Sequence, residues 1–426
     1  GDIKYINGAM YFATASVKDT WIQGYNKSGF FKYTDNWNIY DSSTFKGIDS
    51  IPDFVTIAYQ PQKGKLYGAS FGGGLLEIDP QNNIKVYKYN SGLGAYPSSS
   101  GNFNVSGLAV DPLSNLWIAN FGSEKQLHLL KPDGKWYSFS IPFNILYNAV
   151  AGITIDDDNL KWIISPKGNG LLVWNTGNLP EDPADDEWRL LTKGTGSGNL
   201  PSNNVLCAVK DRNGLIWVGT DKGIGIINCR TSALSNICDA ILPVVNSANQ
   251  TGYLFQDQKV NVIAIDGANR KWIGTSNGLW LISDDGEKVI QYFNIENSSL
   301  LSNEIYSLAL NPITGELFIA TSNGICSYRA NATENVEEER KVLVFPNPVP
   351  PAYSGVIAIR GLPENSWVKI TEINGRLVYQ GKSLGGQMIW NGKDGNGRSV
   401  SSGVYLVLSK DDMNQDKVVT KIFLTR

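Results

Sequence analysis

The stretch at residues 210–228, K-D-R-N-G-L-I-W-V-G-T-D-K-G-I-G-I-I-N, constrains the rest of the chain. An apolar strand leads in at 204–209. A polar turn with Asp211, Asn213 and Gly214 follows, and a second strand carries Trp217, Val218, Gly219 and Thr220. A turn at Gly223 opens a third strand over 224–228. The unit returns as D-G-A-N-R-K-W-I-G-T at 266–275, D-P-L-S-N-L-W-I-A-N at 111–120 and D-D-D-N-L-K-W-I-I-S at 156–165. In all four the aromatic follows the first Asp by six positions. Looser copies put Tyr11, Tyr67 and Phe318 in the same place. The aromatics Tyr11, Tyr67, Trp117, Trp162, Trp217, Trp272 and Phe318 are spaced by 56, 50, 45, 55, 55 and 46 residues. A period near ~45–50 residues with about four strands per unit is the signature of a propeller blade.

The repeat has a physical reading. The first strand of each unit is small and apolar (Leu108, Ala109 and Val110; Ile263, Ala264 and Ile265), which suits the crowded axis. The Trp of the second strand fills the wedge between neighbouring blades, where truncating it would cost roughly 3 kcal/mol or more. The Gly or Ala two positions later lets the adjacent sheet approach. The competing reading is a ring of sugar-stacking aromatics, which needs them exposed. The expected fold is all-β: a seven-bladed β-propeller over 1–329, a polar linker at 330–340, and a small Ig-like β-sandwich over 341–426. The seventh unit stops after I-C-S-Y-R at 325–329, without a fourth strand. An unpaired blade edge leaves backbone groups unsatisfied, so that strand is expected from 1–5 or from residues upstream. The chain opens at Gly1, close to a strand and without a leader-type segment. We therefore expect a longer precursor.

Net charge is −3 and charged residues are 18% of the chain, so it carries no electrostatic footprint for nucleic acid or for an anionic membrane surface. No apolar run approaches the ~18 residues of a membrane span. Chemistry is equally sparse. The single histidine, His128 in Q-L-H-L-L, alternates as a strand residue does and leaves a nucleophile without a base. The carboxylates at Asp156–Asp158, Asp182–Glu187 and Asp284–Asp285 fall in turns or insertions, where solvated charge is the default. Asp394 and Asn396 in D-G-N-G mimic half of a calcium loop, but the downstream Glu is missing. Gly72–Gly74 lacks the Lys-Ser/Thr of a phosphate loop. No catalytic, metal or cofactor set follows, and the chain reads as a non-enzyme. Cys207 and Cys326 sit in strands as small hydrophobes. Cys229 and Cys238 bracket a loop that an oxidising compartment would allow to close as a disulfide; spacing alone leaves the pairing open.

Residues 204–228 and 261–283 resemble the two-component regulator propeller repeat of bacterial surface and sensor proteins, with weaker copies over most of 3–329. The C-terminal segment resembles the sorting domain of type IX secretion cargo. The residues that carry this are Pro346, Asn347 and Pro348; Gly375 and Arg376 in I-N-G-R-L-V; W-N-G-K-D-G-N-G at 390–397; Gly403 and Tyr405 in S-G-V-Y-L; and Lys421. That resemblance implies export across the outer membrane. A regulator-type propeller joined to a sorting domain is similar to the PorZ-like family of surface components. This implies type IX secretion machinery as a partner and anionic lipopolysaccharide or polysaccharide as a ligand, although PorZ-like proteins have two propellers and only one is found here. A glycan-sensing propeller related to hybrid two-component regulators and a secreted carbohydrate-active enzyme are the other readings. The repeat is broken at 93–101, 178–187 and 229–258, and loops that leave a repeat are where recognition tends to be placed. Tyr96, Tyr253 and Phe255 in these breaks are expected to be exposed, as candidate ligand or partner contacts.

Overall fold

A computed structural model describes residues 1–17, 21–48, 51–96, 101–229, 232–247, 250–334, 341–410 and 416–425. Seven antiparallel meanders follow one another along the chain, at 3–40, 54–87, 103–139, 153–191, 205–227, 260–293 and 305–329. We number them blades 1 to 7. Blades 2 and 3 are also joined directly, through Phe71 against Asn104 and Gly72 against Phe103. Blade 5 has three strands, extended on its outer side by a single bridge between Ile226 and Ile241.

The repeated turn forms for a local reason. One carboxylate oxygen of the leading Asp accepts backbone N–H groups two and four residues on. Asp211 Oδ1 holds Asn213 and Leu215, both at 2.9 Å. Asp111 holds Leu113 and Asn115, and Asp156 holds Asp158 and Leu160, in the same way. Asp and Asn side chains do this without a following helix. The threonine that ends the second strand performs a matching task at the next turn. Thr220 Oγ1 donates to Gly223 O, Thr275 Oγ1 to Gly278 O and Thr321 Oγ1 to Gly324 O, at 2.9, 3.0 and 2.9 Å.

Trp117, Trp162, Trp217 and Trp272 are all buried, at 0–2% exposure, so they are core and not a stacking ring. Trp117 of blade 3 meets Trp174 of blade 4 edge-on at 5.1 Å. The following small residues work as expected. A Cβ on Gly219 would stand 2.7 Å from Val260 of the next blade, and one on Gly274 would stand 2.6 Å from Ile305.

Of the two sources expected for the missing strand of blade 7, residues 1–5 do not supply it. Ile3–Ile6 is the innermost strand of blade 1, paired with Ala9–Ala13. It does not supply a fourth strand to blade 7, whose sheet has three. Closure runs instead through inner strands and side chains. Ile3 N–H donates to Ser307 Oγ at 2.9 Å, and Ser307 Oγ donates to Asp2 Oδ1 at 3.0 Å. Phe12 meets Phe318 edge-on at 5.8 Å, inside a cluster with Ile3, Met10 and Ala309.

Antiparallel alternation gives the propeller two unlike faces. Turns joining strands 1–2 and 3–4 of a blade open on one face, here called the turn face. Connections between strands 2 and 3, and crossovers to the next blade, open on the other, the crossover face.

A second compact unit gathers Ser327–Arg426 with the turns Ile265–Lys271 and Leu310–Leu317. Its sandwich has a three-stranded sheet (Leu343–Phe345, Ile357–Arg360, Gln387–Trp390) and a four-stranded one (Leu377–Lys382, Trp367–Glu372, Gly403–Lys410, Asp416–Leu424). Val349, Ile359, Val368, Val407 and Ile422 are among the core between them. Residues 330–334 of the expected linker are hydrogen-bonded within this unit: Glu334 N–H to Pro312 O at 2.8 Å, Gly386 N–H to Thr333 O at 3.0 Å. Residues 335–340 lie outside the described residues.

Candidate functional site

The 229–258 break builds a cleft on the crossover face. After Ile241 pairs with blade 5, the chain makes two antiparallel strands, Val244–Ser247 and Gln250–Tyr253, and returns through 254–258. Leu254 N–H donates to Pro243 O at 2.7 Å, tying the base of this excursion. Between it and the crossover from blade 4 lies a cleft of about 370 Å³, lined by Lys193, Pro201, Lys222, Leu242, Tyr253 and Leu254, with Ile224, Gln256 and Asp257. That is the lower end of ligand-sized cavities. Its floor is apolar and its rim holds two amines, one carboxylate and one exposed phenol. Lys222 Nζ stands 3.4 Å from Asp257 Oδ1, with both side chains more than half exposed, so this pair is loose and solvent-screened.

The wall carrying Lys193 is fixed by the loop that precedes Ile241. Asp239 accepts N–H from Gly196 at 2.7 Å and Gly198 at 2.9 Å, and Ala240 N–H donates to Gly198 O at 2.8 Å. Asp239 follows Cys238 directly, and Cys238 is disulfide-bonded to Cys229, S–S 2.01 Å. The disulfide therefore holds the segment that positions one side of the cleft. Residues 230–231 and 248–249 of the break lie outside the described residues.

The three aromatics expected at exposed loop positions behave differently. Tyr253 is exposed and lines the cleft. Phe255 corrects the expectation: it is buried, with left-handed φ of 58°, and meets Trp280 edge-on at 5.4 Å. The backbone reverses there and swings the ring into blade 6. Tyr96 is half-buried against Phe121, 6.3 Å away, and belongs to the connection between blades 2 and 3. Residues 97–100 of that break lie outside the described residues. The 178–187 break opens on the turn face, where Asp182 caps a short 3-10 turn at Pro183–Asp185 and Glu181 pairs with Lys131 at 2.8 Å.

One organised feature gave no sequence signal. Asp53, fully buried, accepts four N–H groups of the loop between the second and third strands of blade 1: Ser16 and Asn26 on Oδ1, Gly24 and Tyr25 on Oδ2. Trp21 in that loop stacks on Phe121 of blade 3 at 5.3 Å and touches Phe71 of blade 2 at 5.8 Å. The partners are too far apart in sequence for a motif to mark them.

His128 is a core residue. It is fully buried, with Nδ1 2.8 Å from Ser138 Oγ. Burial pushes its pKa down to about 4, so it is neutral at physiological pH. In the sandwich, the motif positions have structural roles. Asn347 Nδ2 donates to Lys421 O at 2.9 Å, and Phe423 N–H donates to Asn347 Oδ1 at 2.8 Å. This laces the Pro346-Asn347-Pro348 segment, which has cis bonds before both prolines, to the last strand. Gly375 turns with φ of 85°, and Arg376 pairs with Glu372. Tyr405 follows Gly403 on the same strand. It packs on Trp390 at 5.5 Å and donates its hydroxyl to Ser401 O at 2.7 Å. Asp394 accepts Asn396 and Arg398 N–H groups and pairs with Arg398, a turn of the same type as in the blades and not a calcium loop.

A family model described as "Two component regulator propeller" matches residues 199–222. None of the curated proteins compared with the chain matches it. Among solved structures, the chain is similar to PorZ, described as an essential bacterial surface component of the type IX secretion system of Porphyromonas gingivalis. Identity is 27% and TM-score 0.73, over all of this chain and 59% of that one. The chain thus spans less than two thirds of the length of PorZ. The extracellular domain of a hybrid two-component system protein from B. thetaiotaomicron shares the fold at 14% identity and TM-score 0.52, over all of this chain and 57% of that one. Virginiamycin B lyase from Staphylococcus aureus does so at 11% and 0.53, over 76% and 92%. The chain therefore carries a two-component-regulator-type propeller repeat and is similar along its whole length to PorZ.

Proposed function

We propose that the chain is a non-enzymatic, surface-exposed binding component of a type IX secretion machinery, and that its propeller binds anionic lipopolysaccharide or polysaccharide, or a partner protein of that machinery, through the cleft at Tyr253. The observation that carries this reading is the whole-chain similarity to PorZ. Three further features support it. The cleft offers an exposed ring beside two amines, a set suited to stacking and anion contact. The disulfide suits an exported protein. The single histidine is buried and held neutral, which leaves the propeller without the usual general base. The terminal sandwich serves, on this reading, as the sorting domain.

The test is retention of purified anionic lipopolysaccharide by the chain and by two variants, Tyr253→Ala and Lys193→Ala with Lys222→Ala. Each variant is expected to weaken capture about tenfold or more at unchanged thermal stability. Unchanged capture in both, or measurable turnover of the glycan, counts against the reading. The similarity to an extracellular sensor domain favours one alternative, a glycan-sensing propeller. Specific capture of a neutral oligosaccharide in place of the anionic polymer would select it.

A further inference from the structure

The return segment of the cleft, 254–258, holds a conformation that its residues disfavour. Phe255 and Asp257 both take left-handed φ, 58° and 59°, which is unfavourable for residues with side chains and most of all for a bulky ring. The surroundings fix it. Phe255 is buried and meets Trp280 of blade 6 edge-on at 5.4 Å. Gln256 N–H donates to Tyr253 O at 3.0 Å, and Gln258 N–H donates to Phe255 O at 2.9 Å. On the blade 5 side stands Gly223, where a Cβ would lie 3.1 Å from both Leu254 O and Phe255 O. The segment therefore packs against bare backbone, which a side chain there would push away.

The strained segment places two groups of the cleft. Tyr253 precedes it and Asp257 lies within it, and both line the cavity. Lys222, the residue before Gly223, comes from the turn between the second and third strands of blade 5. Asp257 Oδ1 stands 3.4 Å from its Nζ. The close approach at Gly223 thus brings a carboxylate from one connection to an amine from another, on the rim where the cleft would hold a ligand's anion. Because the backbone is pinned on both sides, the carboxylate leaves Lys222 by rotation of its side chain and not by movement of the loop. Both side chains are more than half exposed, which leaves room for that rotation.

We infer that Asp257 is a built-in competitor for the anionic group of the cleft's ligand: it holds Lys222 until that anion displaces it. The inference rests on the proposed binding reading and adds to it a residue that sets specificity. A neutral saccharide leaves the pair in place and gains nothing from Lys222. A weakly interacting anion does not displace a carboxylate that is tethered beside the amine. Building an obstacle against the wrong partner is, with added contacts for the right one, a general route to specificity. The size of the obstacle is bounded. A solvent-screened pair of this kind lowers the affinity of a competing anion by about two- to fivefold.

The test is capture of purified anionic lipopolysaccharide by the wild-type chain and by Asp257→Asn, each also in a Lys222→Ala background. Asn keeps the size of the side chain and removes its charge. Asp257→Asn is expected to tighten capture about two- to fivefold at an unchanged thermal midpoint. In the Lys222→Ala background it should change nothing, because a competitor acts only through the amine it holds. An equal gain in both backgrounds would mark general charge repulsion and overturns the inference. So does unchanged capture in Asp257→Asn, or a loss, which would make Asp257 a contact to the ligand. A second measurement needs no lipopolysaccharide. Acylation of Lys222 is followed by mass spectrometry as inorganic phosphate is added, with each protein scaled to its own rate without phosphate. Asp257→Asn should reach half protection at a two- to fivefold lower phosphate concentration than wild type. Equal protection, or protection in neither, overturns the competitor role. If the wild-type chain captures no lipopolysaccharide, the binding reading fails while the phosphate measurement still decides the role of Asp257.

Discussion

The indole Nε1 of Trp217 donates to Asp211 Oδ2 at 3.1 Å, six residues upstream. The same bond joins Trp117 to Asp111 at 3.0 Å and Trp162 to Asp156 at 2.7 Å. A single carboxylate therefore shapes the turn with one oxygen and orients the inter-blade wedge with the other. In blade 6 the second oxygen of Asp266 takes Arg270 instead, 2.7 Å from its guanidinium.

Replacing Asp211 by Ala should remove two backbone acceptors and leave a buried indole N–H without its acceptor. Loss of charged hydrogen bonds at a buried site costs about 2–3 kcal/mol. Urea unfolding of Asp211→Ala should show a midpoint shift of that size. Asp79 makes the same turn without an indole, through Gln81 and Asn83, so Asp79→Ala should shift the midpoint much less. Equal shifts would mean that the Trp bond adds nothing.

His128 predicts a pH dependence. Its folded pKa of about 4 lies below the ordinary value near 6.5. Between the two the unfolded chain binds the proton and the folded chain does not, so stability falls as pH falls through that window. The full effect is roughly 3 kcal/mol, at ~1.4 kcal/mol for each pH unit. Below the folded pKa no more is lost. Stability of wild type and His128→Gln, measured from pH 7 to pH 4, should converge on acidification, because the variant lacks this component. Parallel profiles would show that the imidazole takes up its proton in the fold as readily as in the unfolded chain.

On the export reading, the terminal sandwich should be necessary for surface display. Its own core of Val349, Ile359, Val368, Val407 and Ile422 allows it to be removed as a unit. A chain ending before residue 342 should be found in periplasmic extract and be protected from surface labelling of intact cells. Asn347→Ala breaks both bonds that lace the Pro-Asn-Pro segment to the last strand, and should lower display without removing any charge. Surface labelling of the truncated chain at the wild-type level would refute the sorting role.

The blades were legible because their determinants are local. In blades 3, 4 and 5 the six-residue spacing from Asp to Trp is one side-chain hydrogen bond, and the Gly after Trp is one close approach at Val260 or Ile305. The contact of Ser307 with Ile3 and Asp2 across the ring was not legible, because it leaves no periodic trace. Phe255 was misread because its direction is set by a single left-handed residue in an irregular loop. The cleft was half legible. The break from the repeat marked its location and Tyr253. Lys193 and Lys222 reach it from other connections, and only the fold brings those together.

The disulfide gives the last prediction, because it links stability to the cleft. Cys229 and Cys238 close a short loop, nine residues apart, and a cross-link of that kind contributes about 2–3 kcal/mol. Cys238 and Ala240 are buried in the blade 4–5 core, and Asp239 between them fixes Gly196 and Gly198 by its carboxylate. Breaking the bond should therefore release the 193–199 segment and move Lys193 relative to Tyr253. Cys229→Ser with Cys238→Ser should lower the unfolding free energy by that amount. It should also weaken lipopolysaccharide capture severalfold, although neither cysteine lines the cleft. Asp239→Asn separates the two effects: it keeps the cross-link and weakens only the contact to Gly196 and Gly198. If capture falls in the double serine variant but not in Asp239→Asn, the coupling runs through another route. If capture falls in neither, the disulfide stabilises the blade without shaping the site.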